Sequence, residues 1–153
     1  MKFLIQRVKE AAVDIEGRRV AESGKGLLVF VGVEKDDTEA QADRFFEKLL
    51  KLRIFEDENG KTNLNIKDAG GDLIFVSQFT LLADCKGQNR PGFTAAGSPE
   101  DAKRIFEYIV ERSKKEFSGK TGSGEFAADM AVSLINDGPF TILLDSDELG
   151  KRG

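Results

Sequence analysis

Gly26-Leu27-Leu28-Val29-Phe30-Val31-Gly32-Val33 is almost continuously apolar, which predicts a strand at the centre of a sheet. Apolar and polar residues alternate in the segments before it, as they do in half-buried strands, and Glu16-Gly17-Arg18 has the residues of a turn. The further strands predicted in the first half of the chain lie at 2–8, 11–16, 18–22 and from Asp72 to Leu82.

Two amphipathic helices are predicted beside this sheet. Thr38 and Gln41 have the spacing of a capping box, and Ser98-Pro99 offers a capping serine followed by proline at the first helical position. The apolar face of the first helix contains Ala42, Phe45, Phe46, Leu49 and Leu50, and that of the second contains Ala102, Ile105, Phe106, Ile109 and Val110.

The second half of the chain completes the predicted fold. Loops are expected at 84–97 and from Lys114 to Gly124, and two strands, Phe126 to Ile135 and Phe140 to Leu144, are joined across Asn136 to Pro139. About seven or eight mixed strands and two main helices predict an α/β fold in a single layered domain. That domain is predicted over 1–145, with a charged tail at 146–153 that need not be ordered.

Composition limits the classes of function. The net charge of −4 argues against a protein that wraps DNA or another long nucleic acid, although the single-stranded end of an RNA needs fewer basic contacts. No apolar run reaches the ~20 residues of a membrane span. The single cysteine, Cys85, excludes an internal disulfide, and the apolar stretch at the start breaks too early for a signal peptide. We therefore expect a cytoplasmic protein without membrane contact.

The absence of histidine restricts the chemistry. It removes the usual general base near neutral pH and the usual zinc ligand, and it leaves Cys85 without a partner for a Cys-His nucleophile pair. Gly24-Lys25-Gly26 lacks the spacing of a phosphate-binding loop, and the 27 carboxylates lie mostly in charge-rich turns and helix faces. We expect neither a metal nor a cofactor.

Two short polar segments interrupt the strand-like runs. Taken from the residues alone, Ser77-Gln78-Phe79-Thr80 is compatible with an ordinary strand, and Asn136-Asp137-Gly138-Pro139 is typical of a hairpin turn. Arg7 is compatible with a surface charge, and the even spacing of Phe126 and Met130 indicates one face of a strand that packs in the core.

The order of several short motifs resembles that of the D-aminoacyl-tRNA deacylases, from Met1 to about Leu144. The motifs are Ile5-Gln6-Arg7-Val8, Gly26-Leu27-Leu28-Val29, Val33-Glu34-Lys35-Asp36-Asp37, Arg53-Ile54-Phe55, Ser77-Gln78-Phe79-Thr80-Leu81, Arg90-Pro91, Phe126-Ala127-Ala128-Asp129-Met130 and Asn136-Asp137-Gly138-Pro139. The resemblance implies a homodimeric hydrolase that cleaves the ester between a D-amino acid, or glycine, and the 3′-terminal adenosine of tRNA.

The resemblance also implies a catalytic segment of Ser77, Gln78, Phe79 and Thr80. Backbone N–H groups and the Gln78 amide would stabilise the negative charge on the ester oxygen. Thr80 is expected to position the substrate or relay a proton rather than to act as a nucleophile, since no histidine is present to take its proton. The 2′-hydroxyl of the substrate's ribose would assist the attack of water.

Substrate selection is implied for other positions. Gly138-Pro139, with a cis peptide bond, would enter the active site of the partner subunit beside Asn136 and exclude an L side chain, and Arg7 would hold its carbonyls. Phe126 and Met130 would enclose the terminal adenine, while Lys86 and Arg90 are candidates for contacts with the acceptor-end backbone. Phe140 differs from the smaller aliphatic residue that is frequent after the family's proline.

Two alternatives remain open at this point. One is a non-catalytic module that binds the acceptor end of tRNA without turnover. The other is a sister deacylase with a trans Gly-Pro bond and a roomier pocket for small L-amino acids. Arg7 and Ser77-Gln78-Phe79-Thr80 favour the D-specific enzyme.

Overall fold

The computed structural model describes residues 1–149, in which eight strands and three helices are formed. The strands are β1 (Lys2–Ile15), β2 (Arg18–Ser23), β3 (Gly26–Gly32), β4 (Phe55–Glu56), β5 (Thr62–Leu64), β6 (Asp72–Ser77), β7 (Thr121–Ser123) and β8 (Ala131–Asp145). The helices are α1 (Glu39–Lys51), α2 (Pro99–Glu116) and α3 (Ser146–Leu149), and a 3₁₀ helix spans Phe79–Leu82. No helix among the described residues is long and apolar enough to cross a membrane.

β1 organises the main sheet because its 14 residues are long enough to pair with three strands. One edge of β1 pairs with β3 along its first half and with β2 along its second half, while the other edge pairs with β8. Beyond β3 the order continues through β6 to β7. The β3–β6 and β6–β7 pairs are parallel and the pairs made by β1 are antiparallel, so the predicted mixed α/β fold is confirmed.

β3 is buried on both faces, as its continuous apolar run predicts. Leu27, Val29 and Val31 belong to the large core under α1 and α2, whereas Leu28 joins a smaller cluster on the opposite face. In the large core, Phe3 and Phe45 meet edge to face with ring centroids 5.1 Å apart, a geometry that adds about 0.5–1.5 kcal/mol to the burial of the rings.

The two main helices begin where the caps predict. The Thr38 hydroxyl accepts from the N–H of Gln41 at 3.2 Å, and the Ser98 hydroxyl accepts from the N–H of Asp101 at 3.2 Å. Every residue of both predicted apolar faces is buried except Leu50, which is half-buried. The two helices are joined on their outer side by Asp43, Tyr108 and Arg112, and the hydrogen bond from the Tyr108 hydroxyl to Asp43 raises the pKa of that tyrosine.

The predicted strands and loops differ from the structure in three places. The segments 2–8 and 11–16 are one continuous strand, because β8 pairs across their junction. The strand predicted from Asp72 to Leu82 ends at Ser77, where the chain turns into the 3₁₀ helix and buries Leu82. The loop predicted from Lys114 to Gly124 is shortened at both sides, by the last turn of α2 and by β7.

The predicted hairpin across Asn136 to Pro139 is also wrong. Ala131–Asp145 is one strand that runs antiparallel along β1 and bulges in its middle, and residues 126–130 precede it as a turn. The bulge replaces the hairpin because both arms find their partners on the same long strand. In the predicted tail, Ser146–Leu149 form α3, and the Leu149 carbonyl accepts from Arg44 at 3.0 Å. Residues 150–153 of that tail lie outside the described residues.

The closest approach of β3 to β6 yields a stability prediction. A Cβ added at Gly26 would lie 2.0 Å from the carbonyl oxygen of Asp72, against backbone that cannot move without breaking the parallel pair. We expect Gly26→Ala to lower the free energy of unfolding by more than about 3 kcal/mol. Gly24→Ala is the control, because its nearest neighbour would be 3.9 Å away, and its effect should stay within about 0.5 kcal/mol. Equal urea midpoints for the two variants would contradict this prediction.

Candidate functional site

A cavity of about 490 Å³ opens where the parallel strands β3 and β6 end. Such strand ends are the usual position of ligand sites in α/β sheets. Its walls are mostly apolar and come from β3, β6, the first turn of α2, the turn before β8 and β8 itself. The lining residues are Val31, Val33, Val76, Ser77, Gln78, Phe79, Ala96, Gly97, Pro99, Ala102, Phe126, Ala127, Ala128, Met130 and Val132.

The predicted segment Ser77 to Thr80 lies at the polar side of this cavity. The parallel pairing ends with Val31 opposite Ser77, and the N–H of Gln78 donates to the Val31 carbonyl at 2.8 Å. The 3₁₀ helix then begins, and its first hydrogen bond within the turn is made by Leu81 to the Gln78 carbonyl. The N–H groups of Phe79 and Thr80 precede that bond, so neither has a carbonyl partner within the turn.

The side chains of this segment complete a small donor and acceptor set. The Gln78 amide donates to the Thr80 hydroxyl, which orients both groups, and Thr80 is exposed to solvent. Ser77, Gln78 and Phe79 line the cavity, whereas Thr80 lies beside it through its bond to Gln78. The arrangement offers several hydrogen-bond donors to a carbonyl group at the mouth of an apolar cavity, without a histidine to act as base.

Phe126 and Met130, which the family resemblance assigns to the site, line the same cavity, whereas the prediction that they share one face of a strand was wrong. They belong to the turn before β8 rather than to one face of a strand. That turn is shaped by Ala127, which has a positive φ of 63°, and by the bond from the Ala128 N–H to the Glu125 carbonyl at 3.2 Å. Both side chains thus reach the cavity from this turn, Phe126 beside the large core and Met130 beside the smaller cluster.

A bulge in the middle of β8 brings together the other predicted site residues, namely Arg7, Asn136, Gly138 and Pro139. Thr141 pairs with Gln6 and Asn136 pairs with Val8, so the residues between them bulge outward opposite Arg7 alone. The Gly138–Pro139 peptide bond is cis, and both residues are exposed. Asn136 closes the base of the bulge, because its side-chain oxygen accepts from the Phe140 N–H at 3.0 Å and its amide donates to Gln6 at 2.9 Å.

Arg7 is not a surface charge, since only 6% of the residue is exposed. Its Nη1 donates to the Ile54 carbonyl at 2.7 Å and its Nε to the Asp137 carbonyl at 3.1 Å. The guanidinium carbon lies 4.5 Å from the centre of the Phe140 ring, a cation–π contact that is strong when desolvated. Arg7 is thereby anchored on Ile54 and holds the bulge through Asp137 and Phe140.

Gly138 is required beside this arginine. Its φ is +129°, which side chains rarely adopt, and a Cβ would lie 2.9 Å from Nη2 of Arg7. The large ring of Phe140 packs against the Arg7 guanidinium, so it does not crowd the bulge.

Within the described chain, the predicted site residues lie in separate places. Ser77, Gln78, Phe79, Phe126 and Met130 share the cavity, whereas the bulge residues and Arg7 do not line it. Lys86 and Arg90 are exposed on the 84–97 loop. Sequence reasoning assigned no contact to Phe93, Ile54 or Phe140, although Ile54 lies in one of the family motifs and Phe140 was noted after Pro139. Only Phe93 carried a local signal, as an aromatic residue in an otherwise small and polar loop.

Among residues 1–149, no three His, Cys, Asp or Glu side chains are grouped so that they could hold a metal ion.

The contacts of Arg7 yield a second stability prediction. Arg7→Lys keeps the charge but loses the planar fork that reaches both carbonyls, so we expect the free energy of unfolding to fall by about 1–3 kcal/mol. Arg53→Lys is the matched control, since Arg53 is exposed and bonds only to Asn63, and its effect should stay below about 0.5 kcal/mol. Urea unfolding at unchanged m-value measures both, and an equal loss in the two variants would refute the role given to Arg7.

Known proteins similar to this chain match almost its whole length. The model of the family described as D-Tyr-tRNA(Tyr) deacylase matches residues 4–145. The D-aminoacyl-tRNA deacylase of Thermosipho melanesiensis is 48% identical over 149 residues, which cover 97% of this chain and 99% of that protein. The one of Escherichia coli O81 is 51% identical over 144 residues, which cover 94% and 99%.

Two solved structures share the fold. One, titled c-Myc DNA Unwinding Element Binding Protein, has a TM-score of 0.90 and 36% identity, and the match covers 95% of this chain and 99% of that one. Another, titled Structural Analysis of a probable eukaryotic D-amino acid tRNA deacylase, has a TM-score of 0.79 at 16% identity over 94% and 98%. With the family model matched over residues 4–145 and relatives near 50% identity along almost its whole length, the chain belongs to the D-Tyr-tRNA(Tyr) deacylase family.

Proposed function

We propose that this chain is a hydrolase that cleaves the ester between a D-amino acid and the 3′-terminal adenosine of tRNA. The observation that carries the proposal is the meeting of Ser77, Gln78 and Phe79 with Phe126 and Met130 around one cavity at the strand ends. The apolar lining suits a purine base, and the polar side suits the ester attached to its ribose. Membership of the deacylase family supports the same substrate. The single cysteine is in keeping with a cytoplasmic location, which we propose as well.

The chemistry follows from charge development on the ester. When water adds to the ester carbon, the carbonyl oxygen becomes negative, and we assign the N–H groups of Phe79 and Thr80, at the start of the 3₁₀ helix beside the cavity, as its donors. One well-aimed donor of this kind is worth roughly 3–4 kcal/mol of transition-state stabilisation. The Gln78 amide orients the Thr80 hydroxyl for a second contact.

The proton of the attacking water needs another acceptor, because the chain has no histidine. We assign that part to the 2′-hydroxyl of the substrate's ribose, which passes a proton to the departing 3′ oxygen as it takes one from water. The bond between the ester carbon and the 3′ oxygen breaks, which releases a free amino acid and leaves a 3′-hydroxyl on the adenosine. No covalent acyl-enzyme is formed on this route.

Selection against L-amino acids is proposed for the Gly138-Pro139 bulge of the partner subunit. The bulge is exposed, and its backbone is held by Arg7 and Asn136 in one orientation. A rigid wall of carbonyls can exclude the side chain of an L-amino acid while a D side chain points elsewhere. Glycine has no side chain to clash and should be accepted.

The position of the bulge supports the homodimer that we propose. Within the described chain the bulge does not line the cavity of its own subunit. β8 also exposes Leu134, Ile135 and Leu143 on the strand that carries the bulge, and such apolar exposure is typical of an interface. A two-fold axis would let each subunit supply the bulge to the other's cavity.

We predict that D-tyrosyl-tRNA is hydrolysed much faster than L-tyrosyl-tRNA, before and after exhaustive chelation. Matched rates on the two esters would refute the chirality claim. A loss of activity on chelation that zinc or magnesium restores would refute the metal-free route. Binding of D-tyrosyl-tRNA without turnover would instead identify a non-catalytic tRNA-binding module.

The route without an acyl-enzyme predicts the behaviour of two variants. Gln78→Ala should lower kcat because the donor set loses its orientation, and Thr80→Ala should reduce turnover only partly. Single-turnover rates and mass spectrometry of quenched enzyme measure these effects. A trapped acyl-enzyme, or complete loss in Thr80→Ala, would make Thr80 the nucleophile. An unchanged rate in Gln78→Ala would remove that residue from the site.

The exchange of bulges between subunits predicts complementation. Gly138→Ala should displace the bulge, because its Cβ would lie 2.9 Å from the Arg7 guanidinium, and discrimination between enantiomers should fall. A hybrid dimer contains one Gly138→Ala subunit and one Gln78→Ala subunit. The cavity of the Gly138→Ala subunit is intact, and it receives the unaltered bulge of the Gln78→Ala subunit. Discrimination should therefore return toward that of the unaltered protein. If the hybrids discriminate no better than Gly138→Ala alone, the bulge serves its own subunit.

A further inference from the structure

One exposed aromatic side chain is not explained by the proposals above. Four large apolar residues are exposed in the described chain. Three of them lie on β8 and belong to the proposed dimer interface, namely Leu134, Ile135 and Leu143. The fourth, Phe79, is 55% exposed at the rim of the cavity. Its backbone N–H belongs to the proposed chemistry, but that use does not require a phenyl ring.

The ring of Phe79 is held in place by Phe93. The two ring centroids are 4.9 Å apart at an interplanar angle of 65°, and Phe93 is itself half-buried. The loop that carries Phe93 is closed by paired hydrogen bonds between Asp84 and Gly92 at 2.7 and 2.9 Å. It is anchored again where the Gly97 N–H donates to the Val33 carbonyl at 2.9 Å. Phe79 therefore presents an ordered aromatic surface to solvent.

The same loop carries positive charge beside this pair. Residues 85–91 form its tip beyond the Asp84–Gly92 bridge, and they include Lys86 and Arg90 but no acidic residue. The carboxylate of Asp84 already accepts from the backbone N–H of Lys86 at 2.9 Å. Arg90 is three residues from Phe93, so its backbone lies within roughly 10 Å of that ring's backbone. A basic tip on a chain of net charge −4 indicates a local anionic partner.

We propose that Phe79, backed by Phe93, is a stacking platform for the nucleobase that precedes the terminal adenosine. Lys86 and Arg90 contact the phosphate that links this preceding nucleoside to the adenosine. This inference rests on the proposed function. The cavity volume of about 490 Å³ suits a single nucleoside with its amino acid, so the RNA chain must leave past the rim. Aromatic faces combined with basic side chains are the usual means of holding single-stranded RNA without reading its sequence.

The experiment compares two small substrates, 3′-D-tyrosyl-adenosine and the same ester on cytidylyl-adenosine. The unaltered protein should prefer the dinucleotide by about tenfold or more in KM, since stacking of one base is worth that much. Phe79→Leu and Phe93→Leu should bring this preference close to one, and Phe79→Tyr should retain it. The ratio of KM values isolates the platform from any common effect on the chemistry.

A second arm tests the basic tip. Lys86→Ala combined with Arg90→Ala should weaken binding of the dinucleotide substrate and reduce the salt dependence of its KM, with little effect on the adenosine ester. Lys67→Ala is the control, because it removes one exposed positive charge away from this loop. A salt dependence equal to that of the control would remove Lys86 and Arg90 from the platform.

Each outcome has one meaning. If neither ester is hydrolysed, the proposed function fails. If both are hydrolysed equally well by the unaltered protein, or the preference survives in Phe79→Leu and Phe93→Leu, the platform is refuted and the proposed function stands. If Phe79→Leu instead dissociates the protein in light scattering, the exposed ring belongs to a contact between subunits, which also overturns the platform.

Discussion

The buried guanidinium of Arg7 is the interaction on which the arrangement of the site depends. A buried charge has to be satisfied by protein groups, and here two carbonyls, the Asp137 carboxylate at 3.6 Å and one aromatic ring do so. One carbonyl belongs to Ile54, just after α1, and the other to the bulge of β8. The core and the exposed Gly138-Pro139 element are thereby joined through a single side chain. Removing the fork would leave these carbonyls without partners and the bulge without support.

The cavity depends on a different constraint, the parallel pairing of β3 with β6. Gly26 allows the two backbones to meet at the start of this pair, and the register then runs unbroken to Val31 and Ser77. The 3₁₀ helix begins directly afterwards, so its unpaired N–H groups open at the strand ends. The placement of the donors at the cavity follows from the sheet, and the placement of the bulge follows from β1 and β8.

Local signals in the sequence predict the parts of the fold that depend on near neighbours. The caps at Thr38 and Ser98, both helix faces and the apolar β3 are of this kind. The end of β6 could not be predicted, because Phe79, Leu81 and Leu82 continue the apolar character of the strand while the chain has already turned. The continuity of β8 depends on its partner β1, whose length is invisible in the sequence of β8 itself.

The candidate site also contains features that depend on near neighbours and features that depend on distant parts of the chain. The residues around Ser77 and Gly138 were found through motif order, which reports an entire fold, and the turn chemistry of Asn136-Asp137-Gly138 taken alone pointed to a hairpin. Phe126 and Met130 reach the cavity from a turn shaped by Ala127, so their place there arises from a backbone conformation and not from strand periodicity. Ile54 contributes only a carbonyl, which carries no sequence signal. Long-range backbone partners are therefore the part of this site that a sequence pattern cannot convey.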